Sequence, residues 1–134
     1  MEEPNWYQWI GLPHRIGADP RTDGAACCLV ITKILLTEAG QPMPAIDEWL
    51  DLARRGAWDE LRDAFYRNCE EIAKPEPWTL TLLESGDPTS TTMLGLGVVV
   101  PGGFLLIPHH RRGVQAIPLR ELRTTLAFYK LRDA

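Results

Sequence analysis

Three cysteines and three histidines carry most of the nucleophilic and proton-transfer chemistry open to this 134-residue chain. Cys27 and Cys28 are adjacent, just after Gly24-Ala25-Ala26, and Cys69 stands alone. His14 precedes the cysteine pair, and His109-His110 lie far beyond it. A thiol attacks carbonyl groups as its thiolate, a form favoured by a helix N-terminus and a neighbouring imidazole, with a third polar group to orient the imidazole. Without such partners a thiol keeps a pKa near about 8.5, and only a few per cent of it is ionised at neutral pH. The default role of a cysteine on an apolar helix is that of a small buried hydrophobe.

Other uses of these residues find less support. The adjacent cysteines have no C-x-x-C companion and the adjacent histidines no i, i+4 partner, so no metal is expected. Gly95, Gly97 and Gly102-Gly103 sit within or between strand-like runs rather than before a helix, which argues against a phosphate loop, and no cofactor is expected. Neighbouring cysteines in a helix almost never pair because their Cβ vectors diverge, so the thiols are expected reduced and synthesis cytosolic. The formal charge of −4 is spread along the chain, and Arg54-Arg55 and Arg111-Arg112 are too short to be basic patches, so neither nucleic acid nor an anionic membrane is expected as partner. No signal peptide or membrane insertion is expected, because no basic start leads into an apolar run and no apolar stretch is long enough to span a bilayer.

The elements that must position these groups are legible in the periodicity. Pro4 to Leu12, with Trp6, Trp9 and Ile10 at helical spacing, predicts a short amphipathic helix. A Gly/Pro/Asp-rich loop leads to Ala25–Ala39, apolar almost all round, which predicts a buried central helix closed by Gly40. Ile46, Trp49, Leu50 and Ala53 define one further helical stripe, and Trp58, Leu61, Phe65, Cys69 and Ile72 another before Pro75. From Trp78 the period changes. Trp78–Leu83, Leu94–Val100, Gly103–Ile107, Gly113–Ile117 and Thr124–Leu131 predict short strands in an antiparallel meander. The expectation is one α+β domain over residues 1–134, with a helical half at about 4–74 packed on a sheet half at about 78–131.

Trp9-Ile10-Gly11-Leu12-Pro13, Gly17, Asp19-Pro20 and Gly24-Ala25-Ala26-Cys27-Cys28-Leu29-Val30 together resemble the opening of NlpC-type papain-like cysteine peptidases, especially those of bacteriophage tails. Gly95-Leu96-Gly97-Val98-Val99-Val100 is similar to the family's H-[VI]-G-[IV]-[VY]-[VL] strand. Gly102-Gly103-Phe104-Leu105-Leu106-Ile107 is similar to its G-G-x-[FL]-L-H, followed by Gly113-Val114 and Pro118-Leu119-Arg120-Glu121-Leu122. The resemblance spans almost the whole chain and implies a papain-like fold.

It also implies which residues would carry the chemistry. In the ungapped register Cys27 matches the nucleophile, whereas a one-residue slip puts Ala26 there. The base position falls on Gly95, which offers no proton acceptor. The third polar position falls on Ile107. His109 and His110 follow Pro108 and precede Arg111-Arg112, where a turn is expected; they and His14 are the remaining imidazoles that could serve Cys27.

The implied function is therefore a catalytically degenerate, structural component of a phage tail tip, hub or baseplate. Its partners would be other tail proteins and its location the virion tail, with Trp6, Tyr7, Trp49 or Trp58 as candidate apolar anchors. The alternative is an active cysteine endopeptidase or amidase cutting peptidoglycan, with Cys27 as nucleophile and His109, His110 or His14 as base. A third reading is a bacterial regulatory or immunity-type binding module of the same fold.

Overall fold

Apolar residues on nearly every side of Cys28–Glu38 make this helix, α1, the buried axis of the helical half: Cys28, Leu29, Ile31, Thr32, Ile34, Leu35 and Leu36 are all buried. The structure is a computed structural model and describes residues 4–83, 95–109, 112–122 and 126–132. The one buried hydroxyl of α1, that of Thr32, donates to the Cys28 carbonyl at 2.7 Å and so needs no other partner. Gly40 ends the helix as expected, with the Gln41 N–H returning to the Leu36 carbonyl at 2.8 Å. The start lies three residues later than the periodicity implied. Ala26 is held in a parallel bridge to His14 and donates to the Pro13 carbonyl at 2.8 Å, so its backbone is committed before the helix begins.

Helices α2 (Ala45–Arg54) and α3 (Trp58–Asn68) follow the two predicted stripes and bury Ile46, Trp49, Leu52 and Ala53 in one case, Leu61, Ala64 and Phe65 in the other. Each has acidic residues in its first turn and arginine in its last, which suits the helix dipole. Their contact is aromatic, with the Trp49 and Phe65 rings 5.4 Å apart.

The second stripe ends earlier than expected. Cys69 and Ile72, read as helical, belong instead to strand β1 (Cys69–Ile72). Cys69 already has extended dihedrals, and its partner strand lies some sixty residues downstream, a non-local pairing that local periodicity cannot reveal. The N-terminal helix is likewise reduced to a single 3-10 turn, Trp6–Trp9. The chain there is drawn into the sheet: Gly11 N–H donates to Val114 O and Val114 N–H to Leu12 O, both at 2.9 Å.

The remaining strands are β2 (Leu80–Leu83), β3 (Gly95–Val100), β4 (Phe104–His109), β5 (Gly113–Pro118) and β6 (Phe128–Leu131). They form one antiparallel sheet in the order β1-β6-β2-β3-β4-β5. β2 to β5 are the expected meander; β6 returns to pair with both β2 and β1. β4 continues through Pro108 to His109, which pairs with Gly113, so the turn expected at Pro108 begins later. Leu94, the expected start of β3, and His110, Arg111 and Thr124 fall outside the described residues.

Alternation sorts the sheet residues by face. Leu80, Leu96, Val98, Val100, Leu106 and Val114 join the helices in one core. The intervening positions Thr81, Val99 and Leu105 are buried too, on the opposite face, where Thr81 Oγ1 donates to the Ala127 carbonyl at 2.8 Å. Both faces are thus closed at the centre of the sheet.

Candidate functional site: a cysteine pair at a helix start

The loop before α1 is built to hold one sulfur atom. Arg15 N–H donates to Ala26 O at 3.0 Å and Cys27 N–H to Ala18 O at 3.3 Å, which folds residues 13–18 back along the start of the helix. Asp19 secures the far end of the loop by accepting from the backbone and guanidinium of Arg21 at 2.8–3.0 Å, and Arg21 in turn holds the Asp19 carboxyl below its usual range. Gly17 has φ +81°, and a Cβ there would lie 2.9 Å from Arg54 Nε, so the turn that presents its amide suits glycine alone.

Cys27 is the N-cap residue of α1 and Cys28 its first helical residue. The Cys28 thiol donates toward the Cys27 sulfur, and the N–H groups of Gly17, Val30 and Leu29 are turned to it as well. No side-chain capping hydrogen bond is closed, so the two helical amides act on the sulfur as oriented dipoles. Together these donors outweigh burial and lower the Cys27 thiol from the ordinary 9.0 to about 6. The activating groups are a neighbouring thiol and main-chain amides, none of which a histidine-centred reading of the sequence seeks.

Cys28 shifts the opposite way. Its proton is shared with Cys27 and its surroundings are apolar, so its thiol is pushed well up. The backbone N–H of Leu96 on β3 faces it. Cys69 lies elsewhere, and burial raises it to about 12. All three cysteines are free and buried.

Cys27 and Cys28 line a cavity between the helical half and the sheet, together with His14, Ile16, Leu29, Trp49, Ala53, Trp58, Leu61, Phe65, Leu82, Gly95 and Leu96. It encloses about 430 Å³ of atom-free space including its mouth, of which only about 20 Å³ admits the centre of a water molecule. The site is therefore a narrow slot, with interior room for about one water. Of the three sequence-predicted imidazoles, His14 is brought into this cavity beside the thiols. The backbone of His109 ends β4, and His110 is outside the described residues.

The strand positions assigned by resemblance take a different orientation. Gly95 borders the cavity through its backbone, but a Cβ there would point at Leu83 Cβ, 3.5 Å away, on the face opposite Leu96. Ile107 has the parity of Leu105, on that same far face. The β3 residue on the cysteine side is Leu96, whose face the alignment did not single out. Trp49 takes the core place that its helical spacing predicts rather than that of an exposed anchor: it is fully buried, and its indole Nε1 has no hydrogen-bond partner among the described residues. Leaving such a donor unpaired costs about 1–3 kcal/mol. Trp6 and Trp58 are only half-buried; Tyr7 is exposed at 60%.

Among the described residues no group of three histidine, cysteine or acidic side chains could hold a metal ion, and no helix is long and apolar enough to cross a membrane. Comparison with family models, curated proteins and solved structures gives no match.

Proposed function

We propose that this chain is a non-catalytic, NlpC-like structural component of a bacteriophage tail, acting in the tail tip, hub or baseplate and located in the virion. The reading rests on the ordered series of motifs from Trp9 to Leu122, and the α+β architecture is compatible with it. The observation that carries the non-catalytic part is the identity of Leu96. Strand β3 contributes a leucine to the core and cavity that hold the cysteine pair, and a leucine can neither take a proton from a thiol nor return one to a leaving group. A stabilised thiolate without a proton acceptor on that wall suits a retained fold better than turnover. Exposed Tyr7, Ile10 and Tyr66 offer apolar contacts for neighbouring tail proteins.

The test is mass spectrometry of purified phage particles, intact and after separation of tails from heads. The chain is expected in the tail fraction, and its absence from particles would remove the structural role.

One observation favours the alternative of an active thiol hydrolase: His14 shares the cavity with a thiol whose pKa is lowered to about 6. In that case Cys27, its proton passed to His14, would form a thioester with a peptide carbonyl, the C–N bond would break as His14 gives that proton to the departing amine, and water would then cleave the thioester. Alkylation of Cys27 separates the two readings. In the structural reading its rate is unaffected by His14→Ala; a steep loss of rate in that variant would favour the hydrolase.

A further inference from the structure

His14, Cys27 and Cys28 line one cavity, and neither functional reading has a use for the second thiol. Both sulfurs are otherwise buried, so the cavity is where a reagent meets them. Its interior room, about 20 Å³ for the centre of a water molecule, takes one oxygen atom and little more. A nucleophilic sulfur beside such a space suits the transfer of a single oxygen.

The reactions that usually consume an oxidised thiol are obstructed here. A sulfenic acid condenses with a nearby thiol to a disulfide, which needs Cα atoms about 4.4–6.8 Å apart. Cys27 and Cys28 are joined by a trans peptide, which holds consecutive Cα atoms at about 3.8 Å, so closure between them requires the backbone to move. That backbone is held at both ends: Cys27 N–H donates to Ala18 O at 3.3 Å, and Cys27 O accepts from Ile31 N–H at 2.9 Å. The Cys28 thiol, pushed well up, also supplies little thiolate for the attack. Cys69 lies on β1, away from the cavity wall. The second oxygen of a sulfinic acid exceeds the interior room.

We propose that the cavity beside Cys27 is an oxidation site for hydrogen peroxide, at which Cys27 takes one oxygen atom and persists as a sulfenic acid. The sulfur attacks one peroxide oxygen, so that the S–O bond forms as the O–O bond breaks. Sulfur is oxidised by two electrons, and the departing hydroxide takes up the proton released by the thiol and leaves as water. The step needs only the thiol and the cavity, and is independent of the tail assignment.

The test treats the folded full chain with an equimolar amount of hydrogen peroxide, with and without dimedone, a trap for sulfenic acids. Intact mass without dimedone should show the gain of one oxygen. With dimedone, the tryptic peptide Thr22–Lys33, which carries both cysteines of the pair, should show the adduct on Cys27. It should form at least about tenfold faster than any adduct on Cys69. Ala53→Leu, which adds bulk to the cavity wall, should slow it severalfold in a chain shown by circular dichroism to be folded. The proposal is overturned by an absent adduct, by an adduct on Cys28, or by a wild-type chain that gains two oxygens. A peptide that has lost two hydrogens, as in a disulfide, also overturns it, as does an unchanged rate in folded Ala53→Leu. Should Ala53→Leu fail to fold, the masses of the wild-type chain and peptide still decide.

Discussion

The backbone N–H of Leu96 on β3 faces the sulfur of Cys28 at the start of α1. The Leu96 side chain packs in the same core as the two cysteines, so the strand position that looks onto the pair is one residue removed from the position chosen by the motif. A histidine at 96 would stand on the cysteine side, whereas a histidine at 95 would stand on the Leu83 side. Gly95→His should therefore leave the pH midpoint of Cys27 alkylation unchanged, while Leu96→His should move it. The measurement is labelling rate against pH for both variants, with circular dichroism to establish folding. A shift in Gly95→His would show that the sheet faces are assigned wrongly.

Cys27 should be the reactive thiol of this chain. With its pKa lowered to about 6, labelling by a small reagent should rise through pH 6 and reach a plateau by about pH 7. Cys69, raised to about 12 by burial, should stay unlabelled in the folded protein at neutral pH, and Cys28 should follow Cys69. Peptide mass mapping after brief iodoacetamide treatment reads all three. A Cys27 midpoint near 9 would mean that its donors do not act on the sulfur.

The same shifts govern stability. Between pH 6 and 9 the unfolded Cys27 thiol binds a proton that the native thiolate does not, so Cys27 stabilises the fold increasingly as pH rises. Its contribution is complete above 9 and lost as pH falls through 6. Cys69 works in the opposite sense: its contribution is complete below the ordinary 9.0 and disappears as pH rises toward 12. Urea denaturation of the wild-type chain and Cys27→Ala should show the wild type gaining on the variant between pH 6 and 9, by at most about 1.4 kcal/mol per pH unit. Parallel pH profiles would contradict the assignment.

Much of this fold could be read from local pattern, and the exceptions share a cause. The apolar run behind Cys27, the stripe from Ile46 to Ala53 and the alternation in Leu96–Val100 each encode their element within one window. β1 could not be found this way, because Cys69–Ile72 is extended only through pairing with Phe128–Leu131. The N-terminal turn is cut short by a contact with Val114, a hundred residues away. The site followed the same rule. Cys27 at a helix start was legible, but its amide donors from Gly17, Leu29 and Val30, its neighbour Leu96 and the unpaired Trp49 depend on chain crossings that composition does not record.

That N-terminal contact yields a stability test of its own. Gly113 has φ +77°, and a Cβ there would come within 2.5 Å of the Leu12 carbonyl oxygen; Gly103 has φ +84° and open space around it. Gly103→Ala should cost only the left-handed backbone penalty, about 1–2 kcal/mol. Gly113→Ala must also push Leu12 from the edge of the sheet, and should cost about 3 kcal/mol or more. Equal midpoints in denaturant for the two variants would show that the Gly11–Leu12 segment does not pair with β5.

The most direct measurement is digestion of purified peptidoglycan by the wild-type chain, Cys27→Ala and His14→Ala, with new amino groups counted over time. Because β3 places Leu96 in the core beside the cysteine pair, no release above the Cys27→Ala background is expected at neutral pH, although the Cys27 thiol is lowered from its ordinary value. Release that depends on Cys27 and disappears in His14→Ala would contradict the structural assignment and establish a working thiol hydrolase.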